Sequence, residues 1–568
     1  MPTTVTILYN KSNTFGLQQD SLLIKGVLES QGVQVRIADP LEPQGMCDIA
    51  IHLEVPIYAA MSLATHNIFV INPEWWEEAW NSYLQRANLL IFKCKSDKER
   101  FLAERQLNTP AIVLPWATPI TPSSFPNTPR MKNALWLLGG SKSKREAALT
   151  VIPMWKSEWP ELNVYTTSSL DITVPGNVKL HVKDLKEDER RKLQAQSPCH
   201  LIFSASESLG LSALEGEAAG AFLIGNSLPA YVELFANSPD VSLTQSTLVP
   251  NKAGVKDTFE TLSLEDAMAK YLSSESTETA HRQKAASTLR NEEFALQVGD
   301  LFKGLVLNSS PMIRPLQDNE LPHISVITLL YNRRKFVDMA IHNLLITDYP
   351  KDKIEWVVVE DSDITEEQAA DKVIKFGRES SPLSVSYIPV PSTKKIKNTI
   401  GAKRNVGIQR SQHDIILFMD DDDHYPPSSF RRRVSTLLTH SWKPKAAACT
   451  TIACYDLIKG TSAVNTPPWS LSLKERISEA TLVFYKSWWN EKGFPDTNVA
   501  EGEGFLNGRE SDVVELPPQQ MIVAMSHSQN STSRRIPPGP SGKPSCFWGF
   551  PKEFLKWIHG LVDIELEE

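Results

Sequence analysis

The chain has 568 residues, 41% of them hydrophobic and 22% charged, with a formal net charge of −8. That length exceeds one ordinary hydrophobic core and implies two to four domains, while the acidic balance argues against broad nucleic-acid binding. No apolar run reaches the roughly 18 residues of a transmembrane helix, and the opening MPTTVTILYN reads as a first strand rather than a secretory signal.

Short β-rich runs alternate with helical patterns through most of the chain, which predicts α/β units with largely parallel sheets. Residues 1–128 supply TVTILY, a polar loop with Gly16, the amphipathic DSLLIKGVLESQG, then VQVRIA, CDIAIHL, NIFVIN, NLLIFK and AIVLP. A Pro/Ser/Thr-rich stretch closes this lobe, and a second α/β series over 129–305 opens with ALWLLGG and ends in a helix near 281–305. Residues 306–321 read as a linker, 322–535 as a third α/β series, and 536–568 as a tail. The tail has a Gly/Pro hinge and an aromatic helical segment, for which packing on its own domain is expected over a membrane surface. Six scattered cysteines, Cys47, Cys94, Cys199, Cys449, Cys454 and Cys546, lack metal-ligand spacing and read as thiols in a reducing, cytoplasmic setting. On that reading the sequon at Asn530 carries no meaning.

In the amino-terminal half, LIFSASESLGLSALEGEAAGAFLIGN places Glu207 and Glu215 with seven residues between them. Gly210 is expected to start a helix and Gly220 to end it. A helix amino terminus facing a cleft favours phosphate, and a carboxylate two turns along suits a ribose diol. This segment resembles the Glu-x7-Glu element of family 4 glycosyltransferases, with Leu209 and Phe222 where that family has Phe and Pro. The resemblance implies a GT-B fold of two Rossmann-like domains, 1–128 on the acceptor side and 129–305 on the nucleotide-sugar side. It places Glu215 on the ribose and Glu207 near the donor sugar, and implies retention without a metal. LWLLGGSKSKRE stands where the family has its phosphate element, making Lys142, Lys144 and Arg145 candidates for the diphosphate. His52, at a strand end, is either the lobe's catalytic histidine or a structural residue.

The carboxyl-terminal half carries ISVITLLYNR, VVVEDSD, GAKRNVGI and IILFMDDDD in that order. Four consecutive carboxylates, Asp420 to Asp423, end an apolar strand, where mutual repulsion calls for a cation. Glu360, Asp361 and Asp363 end another strand, and Gly401, Lys403, Arg404 and Asn405 open a helix whose basic residues can help neutralise a diphosphate. The run resembles the nucleotide-sugar half of family 2 glycosyltransferases, of GT-A fold, with Glu360 in place of their first Asp. The resemblance implies Asp361 on the nucleoside, and Mn2+ or Mg2+ held by Asp420 and Asp422. It also implies inversion, with a carboxylate base that VAEGEGFLNGR offers as Glu503, with Glu501 as the alternative, before Arg509. Asp512 and Asp423 stand next in line. His527, after a late strand, is similar to the histidine such enzymes bring to the metal, although a surface histidine would look the same.

Together these resemblances imply an α/β multidomain glycosyltransferase with two active modules. The donors would be UDP- or GDP-sugars and the acceptor a glycan or glycoconjugate. One active GT-A module beside a degenerate GT-B scaffold remains an alternative, as does a metal-dependent nucleotidyltransferase.

Overall fold

The computed structural model describes residues 3–13, 16–40, 42, 45–105, 107–306, 313–391, 398–518, 520–528, 530 and 549–564. Part of the linker expected at 306–321 therefore lies outside the described residues, as do the tail hinge and Cys546. The chain divides into two compact units. One comprises Met1–Pro40, Cys47–Pro56 and His66–Ser309; the other comprises Leu41–Met46, Ile57–Thr65 and Ser310–Glu568.

The first unit holds two six-stranded sheets. One contains β1 (Thr4–Leu8), β2 (Gln34–Ala38), β3 (Cys47–Leu53), β4 (Ala64–Val70), β5 (Leu89–Phe92) and β6 (Ala111–Val113), in the order β2-β1-β3-β4-β5-β6. The other contains β7 (Asn133–Gly139), β8 (Glu161–Thr166), β9 (Val178–Val182), β10 (Cys199–Leu201), β11 (Phe222–Asn226) and β12 (Val241–Thr244), in the order β12-β11-β10-β7-β8-β9. β1 pairs in parallel with both its neighbours, and so does β7. Both sheets are Rossmann-like: the chain winds one way from a central strand, then returns to its other side. The crevice that opens between β1 and β3, and again between β7 and β10, is where such sheets place ligands. A hairpin of β13 (Leu248–Asn251) and β14 (Gly254–Asp257) follows.

The Leu211–Ala219 helix lies between two left-handed glycines, Gly210 at φ 86° and Gly220 at φ 79°. Both ends of that helix are thus set by residues that adopt this backbone without a Cβ penalty. The Ser276–Val306 helix is anchored beside the second sheet by Thr279 and Arg282, which donate to Asp240 at 2.8 and 2.7 Å. Further along, Phe294, Val298 and Phe302 join the core of the first sheet.

The second unit is built on a seven-stranded sheet and a small three-stranded one. The strands are β15 (Ile324–Leu330), β16 (Ile354–Glu360), β17 (Ser384–Pro389), β18 (Ile415–Phe418) and β19 (Ala446–Ala448), then β20 (Ile452–Asp456), β21 (Thr461–Asn465), β22 (Val483–Tyr485), β23 (Val513–Glu515) and β24 (Val523–Ser526). The large sheet runs β17-β16-β15-β18-β22-β19-β23, with β22 antiparallel to both neighbours. Its switch point lies between β15 and β18, whose carboxyl ends deliver Tyr331–Arg333 and Met419–Asp423 to one edge. The small sheet runs β21-β20-β24. The tail helix Lys552–Gly560 packs Ile558, Phe554 and Trp557 on Met339, Tyr455 and Met525, so its aromatic face is used within the unit. No helix among the described residues is long and apolar enough to cross a membrane. The five described cysteines are free thiols.

Gly210 is the local feature on which the first unit's cleft depends. A Cβ there would lie 2.2 Å from Cε1 of buried Tyr231, in a backbone conformation that side chains rarely adopt. Gly210→Ala is expected to cost the first unit about 2–4 kcal/mol from left-handed strain and overpacking together, read from chemical denaturation.

Candidate functional site

The first unit contains a cavity of about 500 Å3, lined from both of its sheets. Asn13, Gly16 and Glu54 reach it from the β1/β3 crevice, and Gly139, Gly140 and Ser206–Gly210 from the β7/β10 crevice. Asn72 ties the two sides together: it donates to Glu54 at 2.7 Å and accepts from Ser208 Oγ at 2.8 Å. Of the residues singled out from the sequence, Glu207, Gly210, Lys144 and Glu215 line this cavity. Lys142 and Arg145 do not; Arg145 instead donates to the Ser169 carbonyl at 3.0 Å. Lys144 and Arg145 are adjacent on one helix and so project about 100° apart, and only Lys144 faces inward, donating to Ser212 Oγ at 2.9 Å.

His52 is also absent from the lining. It is buried, 3.0 Å from Asn67 Oδ1 and edge-on to Phe69, and burial lowers its pKa to about 4. A histidine so placed supports the β3–β4 core. Residues that the sequence did not single out, among them Glu54, Glu74, Lys93 and Arg190, complete the cavity wall. Their signal was weak, because they lie in separate segments with no shared spacing, Glu54, Glu74 and Lys93 in loops and Arg190 on the Glu187–Gln196 helix.

The cavity sorts its carboxyls by their neighbours. Burial would raise Glu215, but Arg191, Arg190 and a 2.8 Å hydrogen bond from Gln194 outweigh it and hold its pKa below the ordinary value. Burial raises Glu54 and Glu207, and raises Glu74 to about 8 with help from the Glu207 charge. Glu215 is thus an ionised acceptor at neutral pH, and Glu74 a proton donor.

In the second unit, Asp420, Asp422 and Asp423 bring carboxylate oxygens within 4.8 Å of one another just beyond β18. Asp422 Oδ2 accepts from Arg333 Nη1 at 2.8 Å, His527 Nε2 at 3.0 Å and Asn530 Nδ2 at 3.1 Å. Arg333 also donates to Asp421 Oδ1 at 3.2 Å. Burial and the Asp422 charge push the Asp421 pKa up, against the pull of Arg333. His527 stacks on Phe336 with ring centroids 4.4 Å apart, which fixes its imidazole toward Asp422. Asp423 accepts from the Met525 amide at 2.8 Å and so ties the acidic turn to β24. This donor set fits a divalent cation: hard carboxylate oxygens converge, with one imidazole nitrogen adjoining through Asp422.

Asp361 is buried and accepts from Lys403 Nζ at 2.7 Å. Glu360 accepts from Tyr387 Oη at 2.7 Å, from Ser362 Oγ at 2.6 Å and from the Ala369 amide at 3.0 Å, so it organises the loop after β16. Asp363 accepts from Asn332 at 2.7 Å. Arg404 lies over the Phe418 ring and forms an ion pair with Glu501 at 3.3 Å. The two cations expected to meet a diphosphate are therefore each paired with a carboxylate. The Ile400–Arg410 helix that carries them packs tightly, because a Cβ on Gly401 would lie 1.8 Å from the Pro495 carbonyl oxygen.

The Glu501–Leu506 helix buries Glu501, Gly502, Phe505 and Leu506, while Glu503 lies on its other side, half-buried. Residues two apart on a helix do not share a face. Gly502 is where a Cβ would meet Glu479 Oε1 at 2.4 Å, so its absence lets Glu479 rest against the first turn. Burial, then the Glu501 charge, raises the Glu479 pKa to about 7. Glu479 gave no sequence signal, since RISEATLVF is an ordinary run and its neighbours are distant in the chain. Arg509 lies over Trp488 at 3.6 Å and donates to two carbonyls, and Asp512 accepts from Trp488 Nε1 at 3.0 Å; both serve packing. Arg333 was visible only as the end of the YNR motif, and Asn530 only as a sequon.

Residues 325–465 match the family Glycosyl transferase family 2. No curated protein matches the sequence. Among solved structures, TarS 1–349 of S. aureus aligns over 36% of this chain and 60% of that one, at 17% identity and TM-score 0.29. The mannosyltransferase PcManGT from Pyrobaculum calidifontis, in complex with GDP-Man and Mn2+, aligns over 41% and 65%, at 15% identity and TM-score 0.30. Sucrose-phosphate synthase from Thermosynechococcus elongatus aligns over 54% and 99%, at 12% identity and TM-score 0.41. The chain thus spans 60% and 65% of the first two.

The Glu74 proton has a measurable consequence. Between its ordinary value of 4.5 and about 8, the folded chain binds a proton that the unfolded chain has lost. Stability therefore falls as pH rises through that window. Glu74→Gln is expected to raise the melting temperature at pH 8 by more than at pH 5, by scanning calorimetry.

Proposed function

We propose that the chain is a two-module glycosyltransferase. The second unit would be of GT-A type and transfer with inversion, using a divalent cation. The first would be of GT-B type, its sheets forming acceptor and donor lobes, and transfer with retention without a metal. One observation carries this reading: the convergence of Asp420, Asp422 and Asp423 at a switch point inside the stretch that matches Glycosyl transferase family 2. In the second unit, Mn2+ or Mg2+ would be held by Asp420 and Asp422 with His527 beside them, and would offset charge on the diphosphate of a UDP- or GDP-sugar. Asp361, oriented by Lys403, would accept hydrogen bonds from the nucleoside. The acceptor, a glycan or glycoconjugate, would lose its hydroxyl proton to the Glu479–Glu501 pair, which we favour over Glu503. A carboxylate poised near pH 7 suits a general base.

In the first unit, Glu215 would hold the ribose, Lys144 the diphosphate at the amino end of the Leu211–Ala219 helix, and Glu207 the donor sugar. The absence of His52 from the cavity supports a second reading, in which this unit binds a nucleotide sugar or glycan without transferring it.

Single substitutions separate these readings. Asp422→Asn is expected to abolish transfer by the second unit and its Mn2+-dependent UDP or GDP affinity in calorimetry. Glu215→Ala should weaken nucleotide-sugar binding by the first unit by about one to two orders of magnitude, the worth of one charged hydrogen bond. Transfer that survives Asp422→Asn and is lost in the double variant would mean two active modules; no surviving transfer would favour the binding-module reading. Release of pyrophosphate instead of UDP or GDP would overturn glycosyl transfer in favour of nucleotidyl transfer.

For the base, Glu479→Gln or Glu501→Gln should cut turnover by about 10²–10⁴-fold with donor affinity little changed, and Glu503→Gln should not. The opposite pattern would restore Glu503 as the base.

A further inference from the structure

Asp422 Oδ2 already accepts from three donors, at 2.8, 3.0 and 3.1 Å. A carboxylate oxygen offers about two lone pairs, so this atom is saturated. A cation that binds through it must displace a donor. His527 and Asn530 can yield at little electrostatic cost, because neither needs to be charged. Arg333 always carries a charge, is largely buried, and is fixed by Asp421 as well as Asp422. Its guanidinium and a divalent ion would repel each other across the same carboxylate.

We propose that Arg333 is the resident counter-ion of the acidic turn and competes with the divalent cation for Asp422. This rests on the metal reading of Asp420 and Asp422 given above. When the cation binds, Arg333 leaves Asp422 and takes an anionic partner, which the diphosphate of the donor supplies. Cation and nucleotide therefore bind cooperatively, each removing an obstacle to the other. The ion alone binds weakly because it must displace a paired arginine.

The test measures Mn2+ binding to the full chain by electron paramagnetic resonance of free Mn2+, with and without UDP or GDP. In the parent, nucleotide should tighten Mn2+ binding at least tenfold. In Arg333→Met, Mn2+ alone should bind at least tenfold more tightly than to the parent, and the nucleotide enhancement should shrink. Arg333→Gln, neutral and polar, should give the same gain and stands in if the Met variant does not fold. Arg333→Lys keeps the charge and should stay within about threefold of the parent. If the parent binds Mn2+ and both neutral variants bind it no more tightly, Arg333 only orders the carboxylates and the proposal is overturned. If Asp422→Asn leaves Mn2+ binding unchanged, the metal reading fails, and this inference fails with it.

Discussion

Four adjacent carboxylates at the end of a buried strand are the constraint around which the second unit is organised. Their repulsion is met from several directions. Arg333 reaches Asp421 and Asp422 from the end of β15. Fully buried Arg433 donates to the Phe418 carbonyl at 2.8 Å, with its guanidinium packed against the rings of Tyr425 and Phe430. Asp423 accepts from the Met525 amide, which engages one of its carboxylate oxygens and fastens the turn to β24. Asp421 keeps its proton more readily than an ordinary carboxyl, which lowers the local charge further. A turn of this composition is stable only where cations and hydrogen-bond donors are supplied from elsewhere in the fold.

The same topological device recurs in each unit. A parallel sheet whose chain reverses its winding opens a crevice at the carboxyl ends of two neighbouring strands. In the first unit this happens in both sheets, and both crevices open into one cavity. In the second it happens once, between β15 and β18, and the acidic turn occupies it.

The two sites treat buried acids differently. In the first unit, Glu215 stays ionised because Arg191, Arg190 and Gln194 address it, whereas Glu54, Glu74 and Glu207 have raised pKa values. That cavity therefore presents carboxyls of raised pKa beside Lys93 and Lys144, a composition able to donate to hydroxyls and accept from them. In the second unit, carboxylates are paired outright, Asp361 with Lys403, Glu501 with Arg404 and Asp422 with Arg333. Glu479 there is held near pH 7, by burial against the glycine turn and by the nearby Glu501 charge.

By itself the sequence determined the alternation of strands and helices, the glycine-bounded Leu211–Ala219 helix and the placing of Asp361 and Asp420–Asp423 at strand ends. These are local properties: apolar period, turn chemistry and glycine's backbone freedom act over a few residues. Only the tertiary structure decided the partners. Lys403 and Arg404 read as phosphate ligands, yet their side chains meet Asp361 and Glu501, which lie 42 and 97 residues away. Arg145 and Lys144 are neighbours in sequence but project from one helix in different directions. Glu501 and Glu503 look equivalent in EGEG, and the helix turn separates them. Glu479 owes its raised pKa to burial and then to the charge of Glu501 in another segment, and Arg333 meets Asp421 and Asp422 88 and 89 residues on. Ion pairing and burial depend on which strand ends the topology brings together, and that information is not carried by any short stretch of the chain.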